Sequence, residues 1–289
     1  MKMKYKLILS GTEGKCVDLY SDPNIRLVNT DGIGFSADIS TTKIYGYDGS
    51  MFQGNSLQQR AVSLIVRYKT TYSETAEMAK NRLMKLLGMK DTVKLRYVAP
   101  NRDVYIMCRV EQVNTPPNTQ PMNTQISLIC PDPYWRESGD NTVVIAGTES
   151  LWEFPFEIPE AGMEFGRINA ATIAIVENKG TAESGAIFTI IATSACSNPK
   201  IENIDTGEFM KVIVEMERGD ILVFTTELGE KTISFTHNGK TQNYFNYRVS
   251  GSTFLQIRPG INHFKYTVDS GDDHAVDILC EFDTKYGGI

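Results

Sequence analysis

Apolar residues recur at helical spacing in one stretch of the chain, residues 74–88. They occupy positions i, i+3, i+7, i+10 and i+11 on one helical face, as Ala76, Ala79, Leu83, Leu86 and Leu87. Thr71 and Glu74 offer a capping box, with Ser73 as the alternative N-cap. Gly88 follows the last leucine, where a left-handed glycine commonly ends a helix. The pattern predicts one amphipathic helix over about 74–88.

Most other apolar residues alternate with polar ones in short runs rich in β-branched and aromatic residues, a pattern typical of β-strands. The clearest runs are residues 61–68, 92–98, 103–113, 173–176, 186–192, 211–214, 221–226 and 232–236. Asn238 and Gly239 then supply the residue pair that a type I′ hairpin turn requires. Because no helical period separates the later runs, crossover helices for parallel strands are missing, and the second half is predicted as an antiparallel β-sandwich.

The chain is long enough for two domains, since its 289 residues well exceed the usual domain length of about 150. Pro131 and Pro133 end a strand run and a polar stretch follows, which places a linker near residues 133–141. We therefore predict a mainly β protein. Residues 1–136 form an N-terminal β domain with the single helix, and residues 137–289 form a C-terminal β-sandwich.

Two irregular segments interrupt the strands of the first domain. Residues 114–122 contain three prolines, which lack backbone donors, so this segment is predicted as a loop between two strands. Residues 44–55 combine glycines with four large apolar side chains, Tyr45, Tyr47, Met51 and Phe52. A loop with so much apolar surface either folds back onto its own domain or docks on another chain. These four residues are the candidate oligomer-interface residues.

Charge and apolar runs disfavour several classes of protein. Lys and Arg number 29 against 35 Asp and Glu, and the net charge of −6 disfavours specific nucleic-acid binding and attraction to anionic membranes. The longest apolar run, residues 104–108, is far shorter than the roughly 18 residues of a membrane span, and residues 7–9 are too few for a signal-peptide core. The expectation is a soluble protein that is made in a cytoplasm.

Motifs that carry chemistry are weak. The five cysteines lack a C-x-x-C pair, so buried, reduced thiols are favoured over a zinc site, with Cys108 and Cys280 in apolar runs. An acidic string over positions 149–164 has near-helical spacing, but Pro155 and Pro159 forbid the helix. Residues 269–277 are rich in Asp yet lack calcium-loop spacing, and turn chemistry accounts for them.

Glu215 and Glu217 are the best carboxylate pair, about 7 Å apart on one face of a strand. They alternate with three apolar residues that are predicted to be buried, Val212, Val214 and Met216. Both glutamates are therefore predicted to face solvent. The three histidines are too dispersed to form a ligand set, at positions 237, 263 and 274. We predict no catalytic, cofactor-binding or metal-binding residues, no cofactor, and no enzymatic activity.

The order and spacing of several short motifs resemble the distal tail protein (Dit) family of long, non-contractile-tailed, siphovirus-type bacteriophages. In the first half these motifs are residues 46–49, 59–64, 83–87 and 132–135. In the second half they are residues 176–182, 203–208 and 258–266. The resemblance covers nearly the whole chain, although each motif alone is common in other proteins.

The resemblance implies an N-terminal domain of β-sandwich or split-barrel type that closes a homo-hexameric ring through its strands and a projecting belt loop. It also implies a galectin-like, jelly-roll C-terminal sandwich outside that ring. Such a ring joins the major tail (tube) protein to a tail-tip or tail-associated lysin protein, and in some relatives it anchors receptor-binding proteins. The implied location is the virion tail tip of a phage or prophage, after synthesis in the host cytoplasm. DNA would pass through the ring without specific binding.

Two other function classes stay as alternatives. One is a carbohydrate-binding adhesion module of β-sandwich type, in which aromatic residues of 244–247 and 152–156 would stack on sugars. The residues themselves favour core packing for these aromatic side chains. The other is a glycosidase, which would have to use Glu215 and Glu217.

Overall fold

The structure is a computed structural model. It describes residues 5–11, 14–88, 90–116, 122–139, 141–146, 148–150, 166–168, 173–272 and 275–289. The chain divides into two compact units. Unit 1 is Met1–Ser138 together with Lys285–Ile289, and unit 2 is Gly139–Thr284.

Strands dominate both units. Unit 1 begins with β1 (Lys6–Ser10), β2 (Cys16–Asp18), β3 (Ile25–Asp31), β4 (Ala37–Thr42), β5 (Met51–Leu57), β6 (Arg60–Tyr68), helix α1 (Ala76–Leu86), β7 (Thr92–Ala99), β8 (Arg102–Asn114), β9 (Asn123–Cys130) and β10 (Trp135–Glu137). Unit 2 follows with β11 (Asn141–Ala146), β12 (Thr148–Ser150), β13 (Gly166–Ile168), β14 (Ile173–Asn178), β15 (Ala186–Ala192), β16 (Cys196–Ser197), β17 (Lys200–Asn203), β18 (Phe209–Lys211), β19 (Glu215–Met216), β20 (Ile221–Thr225), β21 (Thr232–His237), β22 (Lys240–Asn243), a 3-10 turn (Phe245–Tyr247), β23 (Gly260–Thr267) and β24 (Val276–Phe282). The final strand, β25 (Lys285–Tyr286), belongs to unit 1.

Unit 1 is a curled antiparallel sheet with strand order β2-β1-β7-β8-β9-β6-β3. The Leu27 amide of β3 donates to the Leu19 carbonyl just beyond β2 at 2.9 Å, which brings the two ends of the sheet together. Alternate residues point inward, and helix α1 adds its apolar face to the same core. The prediction of a mainly β domain with one helix is confirmed for the part of unit 1 that the structure describes.

The helix is shorter than predicted, and its caps differ. Thr75 is the N-cap, because its side chain accepts a hydrogen bond from the Met78 amide, so neither Thr71 nor Ser73 has that role. Gly88 does not adopt positive φ. A Cβ at this position would overlap the Asp91 carboxylate, so close approach to a side chain accounts for the glycine. The apolar face was predicted correctly, with Ala79, Leu83 and Leu86 buried.

Unit 2 is a β-sandwich. A six-stranded sheet, β11-β24-β15-β20-β21-β22, and a four-stranded sheet, β14-β23-β17-β18, contribute to one hydrophobic core. Phe188 and Phe264 meet edge to face across that core, with ring centroids 5.8 Å apart. The predicted antiparallel sandwich is confirmed, whereas its galectin-like character stays a prediction. Of the predicted run 211–214, only Lys211 lies in a strand, at the end of β18, and β19 begins after the run at Glu215.

The predicted domain division needs a correction at its C-terminal end. We predicted that residues 137–289 form the second domain, but Lys285–Ile289 return to unit 1. The reason is a short strand pairing, in which Trp135 lies opposite Tyr286 and Arg136 opposite Lys285. Unit 2 is therefore inserted between two adjacent strands of unit 1. The linker position 140 and the central residues of the proline loop, 117–121, lie outside the described residues.

Candidate functional site

Strands β4 and β5 form a hairpin, called the arm here, that spans Ala37–Leu57. Within the described residues these strands pair with each other and with no other strand. Their register runs from Ala37 opposite Leu57 to Thr42 opposite Met51, with one irregularity after Ser40. An isolated two-stranded hairpin is only marginally stable in water. The arm therefore needs support from its base or from a surface on which it docks.

One side of the arm carries most of the apolar side chains of its paired strands. Residues directly opposite each other in an antiparallel pair lie on the same side, and sides alternate along a strand. This rule puts Ile39, Phe52 and Leu57 on one side, together with the polar residues Thr41 and Asn55. The other side has Asp38, Ser40 and Ser56, with Met51 at the end nearest the tip. The arm therefore has a more apolar side, as expected of a strand pair that covers an apolar surface.

The four candidate interface residues lie at the tip of the arm. Tyr45 and Tyr47 are 103% and 75% exposed, and Met51 and Phe52 are 51% and 62% exposed. The predicted irregular loop over 44–55 is too long, because Met51 and Phe52 already lie on β5. Of the two alternatives for this loop, folding back onto its own domain does not occur in the described structure. The tip is left with a large apolar surface in solvent.

The base of the arm is fixed by a residue that sequence reasoning missed. The Arg60 side chain is 6% exposed and donates to five backbone carbonyl oxygens, those of Pro133, Gly32, Ile33, Gly34 and Gly287. The Trp135 indole also donates to the Ile33 carbonyl, at 3.3 Å. Burial lowers the pKa of the Arg60 guanidinium. The only sequence signal was a lone arginine at the start of an apolar strand.

The other candidate residues form no catalytic arrangement. Glu215 and Glu217 are exposed as predicted, and the alternating residues Val212, Val214 and Met216 are buried. They line a shallow cleft with His237 and Tyr244. His237 Nδ1 lies 2.9 Å from Asp220, and His263 Nδ1 lies 2.9 Å from Asp205, so these two histidines are held by carboxylates in different places. His274 and the acidic side chains of 149–164 lie outside the described residues.

Tyr244 packs against the sandwich core, with its ring centroid 4.9 Å from that of Phe235. This contact confirms core packing for Tyr244, whereas the prediction is wrong for Phe245 and Tyr247, which are exposed. Residues 152–156 lie outside the described residues. Lys211 and Asn198 lower the pKa of Asp269, which accounts for that carboxylate as a surface ion pair. Among the described residues no cluster of three or more His, Cys, Asp and Glu is placed to hold a metal. No helix in the described chain is long and apolar enough to cross a membrane.

The cysteines are free thiols. Cys108 and Cys280 are buried, as predicted, whereas Cys16 is exposed. Burial raises the pKa of the Cys280 thiol. Contact with Cys130, whose sulfur lies 3.1 Å away, together with burial raises the pKa of Cys108. Neither thiol is placed to act as a nucleophile.

Two family models match the chain, one on each unit. Residues 13–130 match the phage tail protein RIFT-related domain, and residues 179–286 match the C-terminal domain of siphovirus-type tail components. No curated protein sequence matches the chain.

Solved structures share the fold over almost the whole chain. The SPP1 Dit protein, described as a paradigm of the hub adsorption apparatus in phages that infect Gram-positive bacteria, has a TM-score of 0.68 at 14% identity and covers 96% of this chain and 98% of its own. A chain of the phage P2 baseplate in its activated conformation with Ca has a TM-score of 0.56 at 12% identity, with 99% and 100% covered. At these identities the likeness establishes the fold alone.

The fold and the two family matches define a structural component of a siphovirus-type phage tail. Within that class, the chain belongs to the distal tail protein (Dit) family.

Proposed function

We propose that six copies of this chain close into a ring at the tail tip, with the arm of each copy docked on its neighbour. The observation that carries this proposal is the arm itself, which has a more apolar side and an exposed aromatic tip. Apolar surface gains roughly 25 cal/mol per Å² when it leaves water, so an exposed tip of this size favours association. Repeated head-to-tail contacts related by one rotation close into a ring rather than a fibre.

The ring joins the major tail (tube) protein on one side to a tail-tip or tail-associated lysin protein on the other. Receptor-binding proteins are a further class of partner. The solved relatives belong to a hub adsorption apparatus and to a baseplate, which supports this assignment. The chain is not an enzyme in this proposal, requires no cofactor, and is synthesised in the host cytoplasm. DNA passes through the ring without specific contacts.

The test is the molar mass of the purified chain by light scattering across a concentration series. A six-copy ring of 32.3 kDa chains has a mass of about 194 kDa. The combined substitution of the four tip residues, Tyr45→Ser, Tyr47→Ser, Met51→Ser and Phe52→Ser, is expected to leave a monomer. The matched control is Lys240→Ser with Gln242→Ser on the polar hairpin β21–β22, which should keep the ring.

The experiment tests the formation of the ring and the role of the arm separately. A wild-type chain that stays monomeric at high concentration, also with its tail partners present, would overturn the ring. A ring that survives the four substitutions would remove only the role of the arm.

A further inference from the structure

The segment Lys285–Ile289, called the return segment here, reaches the base of the arm. Its strand β25 pairs with β10, and Lys285 is buried. The carbonyl of Gly287 accepts a hydrogen bond from Arg60 Nη2 at 2.5 Å. Gly288 lies against the segment that leads into the arm, because a Cβ built on it would be 3.4 Å from Phe35 Cδ1. The return segment thus contacts both Arg60 and the residues just before the arm.

The Arg60 guanidinium also holds the backbone of the residues that lead from the curled sheet of unit 1 into the arm. Arg60 Nη1 donates to the carbonyls of Gly32, Ile33 and Gly34, three successive residues before β4. Gly32 has a φ of +80°, and a Cβ there would overlap the Ala61 carbonyl oxygen. The chain therefore turns away from β6 in a conformation that glycine tolerates and other residues resist.

Arg60 is buried, and the groups that act electrostatically on it are the thiols of Cys108 and Cys130 and no carboxylate of the described residues. A buried cation without a counter-charge is costly unless its donors are satisfied. The N–H donors of Arg60 are satisfied by backbone carbonyls of three separate segments, namely the base of the arm, Pro133 and the return segment. If one segment leaves, the guanidinium loses acceptors and the remaining contacts weaken. The three segments are therefore coupled through one side chain.

We propose that Arg60 and the return segment form a latch that fixes the direction of the arm, so that docking of the return segment makes unit 1 competent for assembly. Arg60 is a positioning residue, since it acts through the backbone of Gly32, Ile33 and Gly34. This inference rests on the proposed role of the arm in the ring. It adds the condition that the return segment is docked before the ring forms. Because unit 2 is inserted between β10 and β25, the return segment follows unit 2 in the chain.

The test compares three variants of the full chain with wild type: Arg60→Met, Arg60→Lys, and a chain that ends at Thr284. Arg109→Met is the matched control, because Arg109 is an exposed arginine with one hydrogen bond to the Lys90 carbonyl. Amide hydrogen exchange is measured over residues 32–60, over α1 and over unit 2. Light scattering measures the concentration at which the ring forms.

The latch predicts at least tenfold faster exchange over residues 32–60 for Arg60→Met and for the shortened chain, with exchange in unit 2 unchanged. It also predicts at least a tenfold higher concentration for ring formation. Arg60→Lys keeps the charge but lacks the planar fork, so an intermediate effect is expected. Arg109→Met should match wild type in both measurements.

Two results would overturn the latch. One is unchanged exchange at the arm base in all three variants, whatever their oligomeric state. The other is faster exchange with ring formation at the wild-type concentration, which would show that the arm direction does not govern assembly. Failure of wild type itself to assemble would instead contradict the proposed ring. Arg60→Lys keeps the test decisive if Arg60→Met unfolds unit 1.

Discussion

The arm and the hairpin β21–β22 are both exposed at their ends, yet they differ in support and in chemistry. β21 pairs with β20 in the six-stranded sheet, and its partner β22 consists of four exposed polar residues. The turn between them has Asn238 and Gly239 at φ of 48° and 73°, as the sequence predicted for a type I′ turn. The arm pairs with no other described strand and ends in exposed tyrosines.

This difference indicates that one hairpin is stable within a single chain and that the other needs a second surface. β21–β22 is supported by its own sheet and has a tip that water solvates well, so it is complete within one chain. Among the described residues the arm has no neighbouring strand, and it exposes apolar side chains, so its stable state requires another surface. Arg60 fixes the base of the arm, whereas the apolar side chains at its tip are exposed.

The strongest test of this difference is to give the arm a short polar turn like that of the hairpin β21–β22. Because Thr42 lies opposite Met51, replacing residues 43–50 with Asn-Gly closes the strands with the same two-residue loop as Asn238 and Gly239. Two exposed tyrosines are lost, each worth about 2 kcal/mol or more if it is an interface hot spot. We expect ring dissociation to become at least about 100-fold easier in dilution experiments by light scattering. Assembly at the wild-type concentration would contradict this.

Core substitutions test whether the two units have separate cores. Leu83→Ala in α1 and Phe188→Ala in β15 each remove a fully buried side chain. Each is expected to cost about 3–4 kcal/mol of the free energy of unfolding, through lost burial and a cavity. Scanning calorimetry should show that Leu83→Ala lowers the transition of unit 1 and Phe188→Ala that of unit 2. A single transition that both variants shift equally would contradict separate cores.

The pH dependence of unit 1 should reflect the ion pair that ties α1 to the segment before β3. Arg82 Nη1 lies 2.9 Å from Asp22. Although burial opposes it, hydrogen bonds from Arg82 and from the amides of Asn24 and Ile25 lower the pKa of Asp22. The resulting stability is complete above the unfolded pKa, about 3.9, and is lost as the pH falls through the lower folded pKa.

Asp22→Asn is therefore expected to lower the free energy of unfolding of unit 1 by about 1–2 kcal/mol at neutral pH. The difference from wild type should shrink in strong acid, as measured by urea unfolding at several pH values. Glu111→Gln, an exposed position on β8, is the control and should follow wild type. A difference that does not change with pH would indicate that the charge is not responsible.

The smallest expected effect is at the carboxylates of the shallow cleft in unit 2. Glu215→Gln together with Glu217→Gln should change the free energy of unfolding by no more than about 0.5 kcal/mol, because both side chains are exposed. No reducing sugar should be released from glycan substrates before or after substitution. Release by wild type that the double variant loses would overturn the assignment as a non-enzyme.

Local patterns predicted most of the fold, and non-local contacts account for the rest. The face of α1, the strands β6 to β8 and the Asn238-Gly239 turn depend on residues close in sequence, so periodicity and turn chemistry predict them. Strand β25 has only two residues and depends on pairing with β10 far earlier in the chain. No periodicity exists over two residues, so the return to unit 1 was missed. Gly88 was misread as a left-handed cap, because the C-cap Leu87 keeps a right-handed helical conformation and the chain instead continues into a local turn, in which the Asp91 amide donates to the Gly88 carbonyl.

The candidate site divides in the same way. Tyr45, Tyr47, Met51 and Phe52 were found from composition, because large apolar residues among glycines are unusual in a loop. Their position at the end of a two-stranded hairpin required the register of β4 and β5. Arg60 could not be found, because its acceptors are backbone carbonyls, which have no sequence signature.

Electron microscopy of the purified wild-type chain, negatively stained at several concentrations, tests the central claim most directly. We expect particles with six-fold symmetry and a central opening, in which the arm of each subunit contacts its neighbour. Particles of single-chain size at every concentration, also after addition of the tail partners, would contradict it.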